Sequence, residues 1–133
     1  MNKETIIQGT FKLTDFYFFS ESGLWHLVFE NNLRVQIECF WRLLENRKIK
    51  RTSKDNQQLY GHKTPIDLEN EIKAALQDKD LDKIERNTDT GDLYLLFENG
   101  LTLEIITDSS GYECWEIING ENSIYGLGQG EKA

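Results

Sequence analysis

Proline, cysteine, histidine and methionine are all scarce in this 133-residue chain: one, two, two and one. Positive charge is short as well, with 15 basic against 23 acidic side chains and a formal charge of −8. Each shortage excludes something. Cys39 and Cys114 lie 75 positions apart and form no CxxC spacing of a metal or redox motif. Cys39 is in phase with Leu33, Val35 and Ile37, the inward positions of a strand pattern, and both cysteines are expected as buried or half-buried free thiols. A disulfide would need an oxidising compartment. His26 falls inside a strand pattern and His62 in a loop with no acidic neighbour, so neither is placed to activate a cysteine or to act as a base. The negative balance argues against nucleic acid and anionic membranes as partners. No apolar run approaches the roughly 20 residues that span a bilayer. The opening Met1-Asn2-Lys3-Glu4-Thr5 lacks a signal-peptide layout. A cytoplasmic location is the expectation.

Catalytic motifs are missing too. The chain has no GxSxG, HExxH or GxxxxGK[ST]. Gly126-Leu127-Gly128-Gln129-Gly130 has no helix after it to seat a pyrophosphate, and it reads as part of a flexible tail over 126–133. Asp78-Lys79-Asp80-Leu81-Asp82 alternates carboxylates, but Lys83 and Asp89 stand where a calcium loop requires glycine and glutamate. Glu113 and Glu116 flank Trp115, a carboxylate pair with an aromatic platform of the kind that serves glycoside chemistry, yet residues three apart on a strand point to opposite faces. No catalytic residue, cofactor or metal is expected.

What is present is an internal repeat. Residues 23–37 match residues 91–105 at a constant offset of 68, so that Gly23, Phe29 and Ile37 align with Gly91, Phe97 and Ile105. Each stretch reads as strand, two-residue turn, strand. Trp25, Leu27 and Phe29 alternate on one face, as do Leu93, Leu95 and Phe97. Asn99-Gly100 is a strong hairpin signal and Asn31-Asn32 a weaker one. Upstream strands are expected over 13–19 and 81–85. Trp41-Arg42-Leu43 echoes Trp115-Glu116-Ile117 once six extra residues are allowed in the second half. One linking helix is expected over about 65–77, with Thr64 as N-cap, Pro65 in the first turn and an apolar stripe of Leu68, Ile72, Ala75 and Leu76. The expected fold is α+β but mainly β: two repeated antiparallel meanders, about 9–43 and 80–118, related by a pseudo-twofold. They would form a sheet pair or half-open barrel in a single domain covering 1–133.

Charge is segregated along the chain. Residues 42–54 hold six basic side chains and one acidic (net +5), consistent with a charged strand edge that resists mispairing. Residues 66–116 hold fourteen acidic and four basic (net −10). Asp78, Asp80, Asp82, Asp89, Asp92, Glu113 and Glu116 are the candidate contacts for a basic protein, since complementary charge speeds association and selects partners.

Phe97-Glu98-Asn99-Gly100, the Tyr112, Glu113, Trp115, Glu116 segment and Trp41-Arg42-Leu43 together resemble a family of small uncharacterised bacterial domains. Some members are encoded beside polymorphic or contact-dependent toxins and are suspected immunity proteins. The resemblance spans about 9–118 and implies a non-catalytic protein that neutralises a cognate toxin, one expected here to be basic, such as a nuclease. The alternatives are a β domain with a small-molecule cavity between the repeats, lined by Trp25, Trp41, Tyr112 or Trp115, and an enzyme using His26 or His62. Either a monomer or a homodimer paired through strand edges is compatible with the pattern.

Overall fold

The computed structural model describes residues 2–127 and 132–133. The elements run β1 (Lys3–Phe19), β2 (Leu24–Phe29), β3 (Leu33–Ile37), β4 (Phe40–Glu45), β5 (Lys48–Thr52), α1 (Leu68–Leu76), β6 (Asp80–Asn87), β7 (Leu93–Phe97), β8 (Leu101–Ile106), β9 (Trp115–Asn119) and β10 (Asn122–Gly126). All ten strands join one antiparallel sheet in the order β10-β9-β3-β2-β1-β6-β7-β8-β4-β5, which does not close. The local reasons are the expected ones. Asn31 and Asn32 (φ 64° and 60°) and Asn99 and Gly100 (φ 62° and 75°) supply the left-handed turns that let β2–β3 and β7–β8 reverse in two residues. Alternation then buries Leu33, Val35 and Ile37 on β3, and Leu101, Leu103 and Ile105 on β8.

Two separate sheets do not form, because the 17-residue β1 serves both halves. Its residues 13–19 pair with β2 and its residues 3–12 with β6. The sheet folds over on itself about this shared strand, so the apolar faces of the two halves meet. Phe29 stacks on Phe97 at 6.2 Å, while Trp41 lies edge-on to both Phe16 (5.7 Å) and Trp25 (5.2 Å). These aromatic rings occupy the interior where a ligand cavity between the halves was an alternative; Trp41 and Trp25 are core, and Tyr112 is on the surface.

The connections exchange hairpins between the halves. The β4–β5 hairpin follows β3 but pairs with β8, and β9–β10 follows β8 but pairs with β3. The ladder registers recur 68 positions apart. Leu13↔Phe29, Phe16↔Leu27 and Trp25↔Ile37 have the counterparts Leu81↔Phe97, Ile84↔Leu95 and Leu93↔Ile105. Each half carries a register shift at the same place, between Leu13 and Asp15 and between Leu81 and Lys83.

The helix begins later than expected. Gln57 and Ile66 are tied in a loop, Gln57 N donating to Ile66 O (3.0 Å) and Ile66 N to Gln58 O (2.9 Å), so Thr64 and Pro65 stay outside α1. Asp67 is the N-cap, accepting from Asn70 N. Leu68, Ile72 and Leu76 are buried, and Lys73 pairs with Asp15 at 3.1 Å, which fixes α1 against β1. Among the described residues no helix is long and apolar enough to cross a membrane. Three of the six basic side chains of 42–54, Lys48, Lys50 and Arg51, lie on β5, an edge strand with Ile49 exposed, and Arg51 is held by Glu71 at 2.7 Å.

The C-terminal end departs from the expected free tail. Gly126 is the last residue of β10; Ala133 and Tyr125 exchange backbone hydrogen bonds (2.7 and 3.0 Å), and Lys132 reaches Glu4 at 2.7 Å. Residues 128–131, with most of the glycine-rich stretch, lie outside the described residues. A Cβ on Gly126 would overlap the Trp115 indole. Gly126→Ala is therefore expected to destabilise the fold by about 1–3 kcal/mol in a denaturant titration, the usual cost of overpacking; an unchanged midpoint would show that β10 can shift away from the ring.

Candidate functional site

The two links that carry the exchanged hairpins across differ in length. The β3–β4 link is two residues, Glu38 and Cys39, whereas the β8–β9 link is eight, 107–114. The six additional residues are those that interrupt the repeat in sequence. The links touch one another: Glu38 N donates to Cys114 O at 2.9 Å, and Phe40 N donates to Asp108 Oδ2 at 3.0 Å. The β6–β7 turn closes the same end, because Thr107 N donates to Asp92 Oδ1 (2.8 Å) and the Trp115 indole N–H donates to Gly91 O (2.8 Å).

A cleft of about 240 Å³ opens there, lined by Glu38, Cys39, Asp108, Ser109, Tyr112, Glu113 and Cys114. Three of its seven residues are carboxylates and none is basic. Tyr112 stands at its rim with 77% of its surface exposed. Glu38, Glu113 and Cys114 also border a smaller hollow that continues to Glu116 and Tyr125. There the Tyr125 hydroxyl is bonded to Glu116, which raises the tyrosine's pKa. A larger hollow of about 690 Å³ lies between the β2–β3 and β9–β10 turns, lined by Asn31, Asn32, Arg34 and Glu121 among others.

The seven acidic candidates divide between two regions. Asp89, Asp92, Glu113 and Glu116 belong to the cleft end, where Asp92 is committed to Thr107 N and Asp89 accepts weakly from Asn2 (3.4 Å). Asp78, Asp80 and Asp82 sit at the opposite end of β6, after α1, and Asp80 is paired with Lys12 at 3.3 Å. The eight residues of β6 separate the groups by about 23 Å, well beyond the roughly 8 Å screening length of physiological salt, so they do not act as one field. Glu38 and Asp108 were missed as site residues, and Tyr112 was named only for a cavity between the repeats, not for this cleft. The six-residue interruption of the repeat was the signal that marked Asp108 and Tyr112.

The thiols have no histidine beside them in this arrangement. Cys39 and Cys114 are both buried, and burial pushes the Cys39 thiol far up, with Cys114 and Asp108 adding to the effect. His62 is exposed in its loop. His26 lies on the outer face of β2, stacked on Tyr17 at 4.6 Å, and is nevertheless only 8% exposed. Its pKa is lowered, first by burial and then by the nearby Arg34 charge. An unfolded histidine titrates near 6.5, so below about that pH the unfolded chain binds more protons than the folded one. Stability is complete above this pH and declines as pH falls towards the depressed folded pKa. His26→Phe, which keeps the stack on Tyr17, is expected to flatten the fall of Tm between about pH 7.5 and 5; an unaltered slope would assign the effect to other groups.

No family model, curated protein or solved structure matches this chain.

Proposed function

We propose that this is a non-catalytic, cytoplasmic protein-binding domain that captures a basic protein at its acidic cleft end. The observation that carries the reading is the cleft itself: Glu38, Asp108 and Glu113 converge without a basic residue in the lining, beside the exposed Tyr112. Such a surface presents a carboxylate-lined socket for a lysine or arginine of the partner and an aromatic anchor next to it, the residue types that dominate protein interfaces. The high pKa of the buried Cys39 and the separation of both histidines from the thiols favour binding over nucleophilic chemistry.

The two halves are read as copies of one strand–hairpin–strand unit related by a pseudo-twofold. Support comes from the ladder registers that recur at 68 and from the matching register shifts. On this view the cleft is where the copies diverge, since the inserted residues of the β8–β9 link build it. Departures from a local rule are expected where function is placed. Joined to the resemblance noted in the sequence, the partner is a basic toxin, and the domain acts as its immunity protein by covering the toxin's substrate-binding surface.

Co-expression with the product of the neighbouring gene tests this. The expected result is a complex that survives purification and relieves that product's toxicity. A neighbouring product that is not toxic, or toxicity that persists with the domain in excess, would overturn the immunity reading.

A further inference from the structure

The floor of the cleft brings together three groups that sequence spacing keeps apart. Cys39 Sγ, Cys114 Sγ and an oxygen of Asp108 all lie within 4.8 Å of one another. Cys39 comes from the short link; Asp108 and Cys114 come from the two ends of the long one. The carboxylate is oriented: Asp108 Oδ2 accepts from Phe40 N at 3.0 Å, while Oδ1 faces the Cys114 thiol at 3.9 Å. The Cys39 thiol donates to Cys114 O at 3.3 Å. Both cysteines are buried, at 7% and 3% exposed, yet the cleft leads to them and Asp108 stands at its surface.

We propose that Cys39, Cys114 and Asp108 form a binding site for a thiophilic divalent cation, Zn²⁺ in class. Two thiolates and a carboxylate suit zinc and not calcium or magnesium, which take oxygen ligands. Bonds of about 2.3 Å to sulfur and 2.0 Å to oxygen place tetrahedral ligands roughly 3.5–3.8 Å apart, so no pair of groups needs to close by more than about 1.3 Å. Glu38 and Glu113 line the same cleft and, with water, offer a fourth ligand. A disulfide would use the same thiols and leave Asp108 its bond to Phe40 N, but would give no role to the second oxygen, which faces the Cys114 thiol. Two thiolates and one carboxylate around a dication leave one net negative charge, so the cleft end stays acidic. The cation would tie the two crossover links together and stabilise the native state by mass action. It would bind the free chain, with no protein partner needed.

The test is titration of the reduced full-length chain with Co²⁺ and then Zn²⁺. One equivalent of Co²⁺ is expected, with thiolate-to-cobalt charge-transfer absorption and tetrahedral ligand-field bands, both removed by one equivalent of Zn²⁺; Tm should rise with the metal. Cys39→Ser and Cys114→Ser should each remove or halve the charge-transfer band. Asp108→Asn changes an exposed residue and should leave the chain folded while weakening the metal by about tenfold or more. The proposal is overturned by non-saturating binding, by cobalt spectra that the thiol and Asp108 substitutions leave unaltered, or by a reduced chain that takes no metal and closes a Cys39–Cys114 disulfide in air.

Discussion

Replacing Trp41 with alanine should lower stability by about 3–5 kcal/mol, a large part of the 5–15 kcal/mol that holds a domain of this size. Trp41 is fully buried where the folded-over sheet halves meet, edge-on to Phe16 and Trp25. Truncation opens a cavity in the contact that keeps the two halves together. Tm should fall by roughly 10–20 °C. A gentler pair of substitutions separates packing from hydrogen bonding. The Trp115 indole N–H donates to Gly91 O, whereas the Trp41 Nε1 is buried with no partner among the described residues. Trp115→Phe should therefore cost about 1–3 kcal/mol more than Trp41→Phe, because it strands a buried carbonyl while the other change removes an unpaired donor. Equal losses in a denaturant titration would contradict this account of the two indoles.

The second large effect concerns the partner. Glu38→Lys with Glu113→Lys reverses two exposed charges of the cleft whose side chains, unlike that of Asp92, make no hydrogen bond or ion pair among the described residues. Affinity for a basic partner should drop by about 100-fold or more, near 2.7 kcal/mol, with much of the loss in the association rate and in its salt dependence. Asp78→Lys with Asp82→Lys changes charge equally at the far end of β6 and should alter affinity by less than about threefold. Equal effects from the two pairs would mean that net charge, not the cleft, drives binding. Surface plasmon resonance at two salt concentrations reads both outcomes.

Much of the β architecture is legible in the chain because its determinants are local. Asn31-Asn32 and Asn99-Gly100 announce their turns through the positive φ that each position needs. The alternation of Leu33, Val35 and Ile37 announces which face is buried. The first half of β1 is harder to read, since register shifts between Thr5 and Ile7 and between Gln8 and Phe11 break the alternation. The helix start was misplaced because Thr64-Pro65 carries the right local signal but is held in the loop by the Gln57–Ile66 pairing. The exchange of the β4–β5 and β9–β10 hairpins is invisible to local pattern, as nothing in Trp41-Arg42-Leu43 says which sheet edge it will join. The cleft follows from that exchange. Cys39 and Cys114 are 75 positions apart and meet only because the crossover links pass each other, and Glu38 and Asp108 meet them for the same reason.

The acidic cleft end as the docking surface is tested most directly by hydrogen–deuterium exchange of the free domain and of its complex with the basic partner. Protection on binding should concentrate in 38–40, 88–92 and 107–114, with β5 and α1 unchanged. Protection confined to β5, α1 or the start of β6, with the crossover links exchanging as before, would contradict it.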